Sequence, residues 1–162
     1  MTKPSGYALE SLREGADLTL YRGRQNGNPS SILAVAPATE QPSPLILRRL
    51  EHEYSLAAEL DLAWAEKPLA LTRNEGRITL TLADPGGGHL DRVLERQPLD
   101  QTRLPRIAIG LTTALGQVHR RGLMHRDIKP ANVLVDDAGK VWLRDLGWRP
   151  SCCRSASCPF CP

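Results

Sequence analysis

The stretch His125 to Leu134, "HRDIKPANVL", runs on through "VDDAGKVWLR" to Asp145-Leu146-Gly147, "DLG". It opens as a dense run of polar groups: His125, Arg126, Asp127, Lys129 and Asn132. It then becomes apolar in "NVLV" and again in "VWLR", with "DDAGK" between them. Two short apolar runs around a Gly-containing polar turn predict a hairpin. Such a hairpin brings Asn132 and Asp145 together although thirteen positions separate them.

Upstream of the loop, residues 102–119 carry one apolar stripe, Leu104, Ile107, Leu111, Leu115 and Val118, which predicts a helix that Gly122 ends. "HLDRVLERQ" reads as a shorter helix, and "DPGGG", 84–88, as a hinge-like break. "PLALTR" and "ITLTLA" flank "NEGR" as a hairpin. "QPSPLILRRLEHEYSLAAELD" opens a helix with Ser43 as N-cap and Pro44 at the first helical position. Its Ile46, Leu50, Glu53 and Ala57 share one face. "SILAVA", 31–36, and "DLTLYRGR", 17–24, read as strands joined through the turn residues "QNGNP". Strands first and helices later predict an α+β fold split into two lobes at the glycines.

The 162 residues are 41% apolar and 24% charged, with net charge +3, as expected of one ordinary globular domain. Cations are scattered, and the only Phe is Phe160, so no aromatic platform accompanies a basic patch and nucleic acid is not an expected partner. "MTKPSGYALE" has no apolar core of a secretory signal, and no apolar run approaches a bilayer span. All four cysteines lie between 152 and 161. A cytoplasmic location is the default expectation.

His125, Arg126, Asp127 and Asn132 followed by Asp145, with Lys129 and Pro130 between, resemble the catalytic loop and metal-binding motif of protein kinases. The resemblance implies a small N-lobe with an antiparallel sheet and one helix, followed by the first part of a helical C-lobe. It places a partial kinase-like domain over 1–148, with the N-lobe at about 7–84, the hinge at 84–88 and the partial C-lobe at 89–148. ATP and Mg²⁺ are the implied cofactors and protein Ser/Thr hydroxyls the implied acceptors, because a Lys-Pro pair at 129–130 is similar to serine/threonine kinases. In that family's terms Asp127 accepts the hydroxyl proton and Lys129 contacts the transferred phosphate. Asn132 and Asp145 hold Mg²⁺, whose hardness suits oxygen ligands. Glu53 is the inward helical glutamate. "YRGR", "HEYSLAAELD", "KPLALTR" and "GRITLTLADPGGGHL" together with the loop also resemble the N-terminal kinase-like module of large bacterial multidomain sensor kinases, which implies downstream signalling domains as partners.

Three departures accompany the resemblance. Only Gly15 and Gly23 occur where a Gly-rich phosphate loop is expected. The third-strand lysine is missing: its position falls near Val35, and no Lys lies between Lys3 and Lys67. Glu53 then lacks its partner, so its carboxyl is expected to be protonated or turned outward, or to meet Arg22 from the neighbouring strand. Nothing like the family's activation segment or remaining C-lobe helices follows Gly147, which predicts that the 102–119 helix is short of packing partners and that catalysis is crippled. A non-catalytic pseudokinase or regulatory binding module is the alternative expectation. The last residues, 149–162, form a Cys-rich segment read as an irregular, frame-shifted or truncated end. Cys158 and Cys161 have zinc-ligand spacing, but Cys152 and Cys153 are adjacent and no second C-x-x-C exists.

Overall fold

The structure is a computed structural model and describes residues 7–25, 31–74, 76–96 and 98–146. The 149–162 segment and Gly147 lie outside the described residues, as does most of the "QNGNP" turn. Strands β1 (Tyr7–Glu14), β2 (Leu18–Gln25), β3 (Ser31–Pro37), β4 (Pro68–Asn74) and β5 (Arg77–Ala83) form an antiparallel sheet in the order β1-β2-β3-β5-β4. β5 reads "RITLTLA", and its alternation is realised directly, with Ile78, Leu80 and Leu82 buried. Val35 pairs opposite Leu80 and Leu33 opposite Leu82. These side chains and Leu20 form one apolar core with Leu50 of helix α1 (Pro44–Ser55).

Helix α1 starts where its residues require. Ser43 is extended and its hydroxyl accepts from the Ile46 amide, while Pro44 occupies the first turn, where no amide is needed. The helix stops at Ser55, short of the apolar stretch read from the sequence. Ala57 therefore belongs to the following turn, its amide donating to Tyr54 O at 3.0 Å, and it does not extend the face of Ile46 and Leu50.

Beyond the hinge residues, β6 (Gly88–His89), β7 (Val133–Val135) and β8 (Val141–Leu143) form a second antiparallel sheet. Helices α2 (Leu90–Arg96) and α3 (Arg103–Arg120) precede the β7–β8 hairpin. The stripe of α3 differs from the expected one. Leu104 is 54% exposed, and Ala114, at 1%, takes its place in a line with Ile107 and Val118. Ala114 falls on the line 107, 111, 114, 118, whereas the Leu104 side chain is left exposed in the first turn.

Nor is this face short of partners. Ile107, Ala114 and Val118 pack with Val133, Val135, Val141 and Leu143 of the hairpin and with Leu60, Trp64 and Ala65. The 64–66 segment is held on β8 by Leu143 N–H donating to Trp64 O at 3.0 Å and Glu66 N–H to Leu143 O at 2.9 Å. The apolar residues that remain bare on α3, Leu104 and Ile109, lie off this face.

The two cores meet at the glycines. Asp84 caps its own turn by accepting from the Gly86 amide at 2.9 Å. Gly87 has φ +76°, and a Cβ there would lie 2.5 Å from Val135 O, so both the backbone conformation and the close approach of chains require glycine. Among the described residues no helix is long and apolar enough to cross a membrane.

Candidate active site

Local chain chemistry sets the loop. Lys129 is extended, the conformation a residue before proline prefers, and Pro130 opens a short 3₁₀ turn, Pro130–Asn132, that delivers the chain into β7. The hairpin register then pairs Val133 with Leu143, and the Arg144 amide donates to Asn132 O at 3.1 Å. One residue further, Asp145 stands beside Asn132, and both line one cavity of about 300 Å³. The convergence expected from the hairpin is therefore realised.

Asp127 is bonded to two residues of the cavity lining. Its Oδ2 accepts from Lys129 Nζ at 2.6 Å and from Asn132 Nδ2 at 2.9 Å, and Asn132 Nδ2 also reaches Asp127 O at 2.9 Å. The Lys129 hydrogen bond, aided by Asn132, holds the Asp127 carboxyl below the usual range, so it is ionised at neutral pH. Asn132 spends its amide nitrogen in this way, which leaves its carbonyl oxygen as the group with capacity for a cation. His125 is buried at 2% exposure, and burial lowers its pKa.

Arg126 and Asp145 have φ of 64° and 59°, a region that non-glycine residues seldom occupy. Asp145 is turned toward helix α1, where Arg49 ion-pairs with it. Arg49 was not anticipated; its only sequence signal is a position one turn before Glu53 on the same helix.

Glu53 also lines the cavity, as does Val35. Val35 is 5% exposed and apolar, so β3 supplies no cation. Burial first, and then the Asp145 charge, push the Glu53 carboxyl up to about 7. The expected protonation is thus supported. The expected substitution by Arg22 is not: Arg22 Nε donates to Asp84 Oδ2 at 2.7 Å, and its Nη2 reaches Gly87 O at 3.4 Å. Arg22 lies beside the hinge, and Asp84, only 1% exposed in its side chain, claims its charge. Burial alone would raise the Asp84 pKa, but hydrogen bonds from Ser31, the Gly86 amide and Arg22 bring it below the ordinary range.

Behind the cavity lies a network that sequence reading missed. Arg144 ion-pairs with buried Glu66 at 3.5 Å, and its Nη1 lies 3.4 Å from His89 Nε2. An arginine can only donate, so Nε2 accepts, and the ring proton sits on Nδ1 and goes to Ala131 O at 3.1 Å. Burial and the neighbouring Arg144 lower the His89 pKa to about 4, so the ring is neutral. Burial raises the Glu66 carboxyl, Arg144 opposing. Arg144, His89 and Glu66 are far apart in sequence, and each alone reads as an ordinary surface residue.

The turn before β2 roofs the cavity. Gly15, Ala16, Asp17 and Leu18 line it, with the Gly15 amide donating to Leu18 O at 3.0 Å, so one glycine suffices to bend the chain there.

The donor set fits a magnesium ion. Asp145 and the carbonyl of Asn132 offer two oxygens on one wall, and no cluster of three or more His, Cys, Asp or Glu exists among the described residues. Mg²⁺ takes few protein ligands and completes its octahedron with water and phosphate. Asp145 already pairs with a cation in Arg49.

The sequence model described as "Protein kinase domain" matches residues 39–156. Mouse Aurora kinase C is 35% identical over 117 residues, covering 67% of this chain and 42% of that protein. The fission-yeast MAP kinase kinase skh1/pek1 is 28% identical over 146 residues, covering 86% of this chain and 40% of that protein. The Arabidopsis mitogen-activated protein kinase kinase kinase ANP1 is 29% identical over 144 residues, covering 84% and 22%. The chain therefore spans less than half the length of these relatives.

Proposed function

The chain belongs to the protein kinase domain family, and from that premise we propose that it binds ATP with Mg²⁺ and transfers the terminal phosphoryl group to a serine or threonine hydroxyl of a protein substrate. The observation that carries this reading is the Asp127–Lys129–Asn132 hydrogen-bonded set standing at the cavity that Asp145 lines. The acceptor oxygen bonds to the terminal phosphorus as the bond from that phosphorus to the bridging oxygen breaks, and ADP leaves. The hydroxyl proton goes to Asp127, which is ionised and half-exposed toward an incoming chain. Asn132 holds Asp127 in orientation, and Lys129 supplies positive charge beside the transferred group. Asp145 and Asn132 would hold Mg²⁺, whose chemistry is neutralisation of phosphate charge.

A second reading, a nucleotide-responsive regulatory module without turnover, is favoured by Val35 standing where a cation is expected and by Arg49 occupying Asp145. The test is radiolabel transfer from γ-phosphate ATP to a Ser/Thr peptide library, with MgATP affinity measured in parallel. Asp127→Asn is expected to lower transfer at least ~100-fold and to leave MgATP affinity within about twofold. Equal transfer by Asp127→Asn and the parent would refute the assignment. MgATP binding by the parent without transfer selects the regulatory reading.

A further inference from the structure

Among the described residues four cations line the cavity, and three of them are engaged by carboxylates that do not line it: Arg13 by Asp91 at 3.3 Å, Lys129 by Asp127 at 2.6 Å and Arg144 by Glu66 at 3.5 Å. Arg49 is the exception. It pairs with Asp145, a carboxylate of the cavity itself, and its Nε is buried without a hydrogen-bond partner. An orphaned buried donor on a guanidinium is unfavourable, and a planar fork with free N–H groups matches phosphate geometry. The base of the side chain is firmly placed, because the next residue, Leu50, is fully buried in the sheet core. The side chain is not fully enclosed: it keeps 28% exposure. β3 contributes Val35 to the same cavity.

We propose that Arg49 is the phosphate-holding cation of this cavity, paired with Asp145 while no nucleotide is present and turned onto the nucleotide's phosphates once a divalent cation takes that carboxylate. The inference rests on the nucleotide-binding reading above and extends it to a residue on α1. Its physical basis is that a divalent cation on Asp145 repels the guanidinium at contact distance and neutralises the carboxylate charge that holds it. Arg49 then finds in a phosphate the acceptor its Nε lacks. The ion pair is thus a placeholder that keeps the empty cavity electrically balanced.

Arg49 should therefore act with opposite sign on the two ligands. Mn²⁺ alone, read by its paramagnetic resonance signal, and MgATP, read by calorimetry, are titrated into the parent, Arg49→Met and Arg49→Lys. Arg49→Met is expected to bind Mn²⁺ alone about 10-fold more tightly, having lost a competing cation. It is expected to bind MgATP about 10-fold or more weakly, having lost a charge-assisted hydrogen bond. Arg49→Lys should hold MgATP within about threefold of the parent. Arg49→Gln carries the same expectation as Met should the Met variant lose its cooperative melt. MgATP binding by Arg49→Met equal to the parent overturns the Arg49 assignment alone, as does Mn²⁺ binding that is no tighter. A parent that binds Mn²⁺ but not MgATP overturns the nucleotide reading and this inference with it.

Discussion

Replacing Glu53 with Gln isolates one carboxyl of the cavity lining. In the folded chain the Glu53 carboxyl keeps its proton up to about pH 7, against an ordinary value of 4.5, chiefly because burial disfavours the anion and secondarily because Asp145 is close. Between those values the native state binds more protons than the unfolded state. This contribution to stability is therefore complete below pH 4.5 and is lost as pH rises through 7. At about 1.4 kcal/mol per unit the full shift is worth ~3 kcal/mol, and partial exposure of the side chain reduces that to ~1–3 kcal/mol. Glu53→Gln removes the ionisation and keeps the shape. Glu66, raised in the same direction, and Asp84 and Asp127, shifted downward, remain in both proteins and cancel in the difference. Urea unfolding at pH 4, 5, 6, 7 and 8 should show the two proteins within ~0.5 kcal/mol at pH 4, with the Gln variant ahead by ~1–3 kcal/mol at pH 8. A constant offset over that range would show that Glu53 is ionised throughout and already paired, and would refute the reasoning.

Other substitutions probe the frame of the site. Gly87→Ala should destabilise by ~1–3 kcal/mol in thermal or urea unfolding, because its φ is +76° and the new Cβ meets Val135 O, whereas Gly88→Ala, whose Cβ would be 3.7 Å from Val93, should be tolerated. Leu50→Ala removes a fully buried side chain of the sheet core and should lower stability by ~2–5 kcal/mol by the same measurement. Arg22→Met leaves buried Asp84 without its counter-charge, so ~3 kcal/mol should be lost at pH 7 and less at acid pH; the Glu53 titration followed by NMR should stay where it was, since Arg22 serves the hinge.

Much of this molecule is legible one segment at a time, where a local cause suffices. Ser43 and Pro44 start α1 because capping is settled within one turn, and β5 alternates because its two faces differ. The loop from His125 to Asn132 and the hairpin returning to Asp145 are likewise local: the polar run, Pro130 and the Gly139 turn fall within a short span. Strand β1 escaped such reading because a register shift between Ser11 and Arg13 breaks its alternation after Tyr7 and Leu9.

The charge partners were beyond local reading altogether. Arg22 is claimed by Asp84 across 62 positions, Arg49 by Asp145 across 96, and Arg144 is set between Glu66 and His89. Ion pairing depends on distance in space and on how much water is excluded, neither of which has a period along the chain. The residue types that could perform the chemistry were therefore visible in order and spacing. Which cation answers which carboxylate, and hence why Glu53 is left to carry its proton, was decided only when the sheet, α1 and the hairpin closed on one cavity.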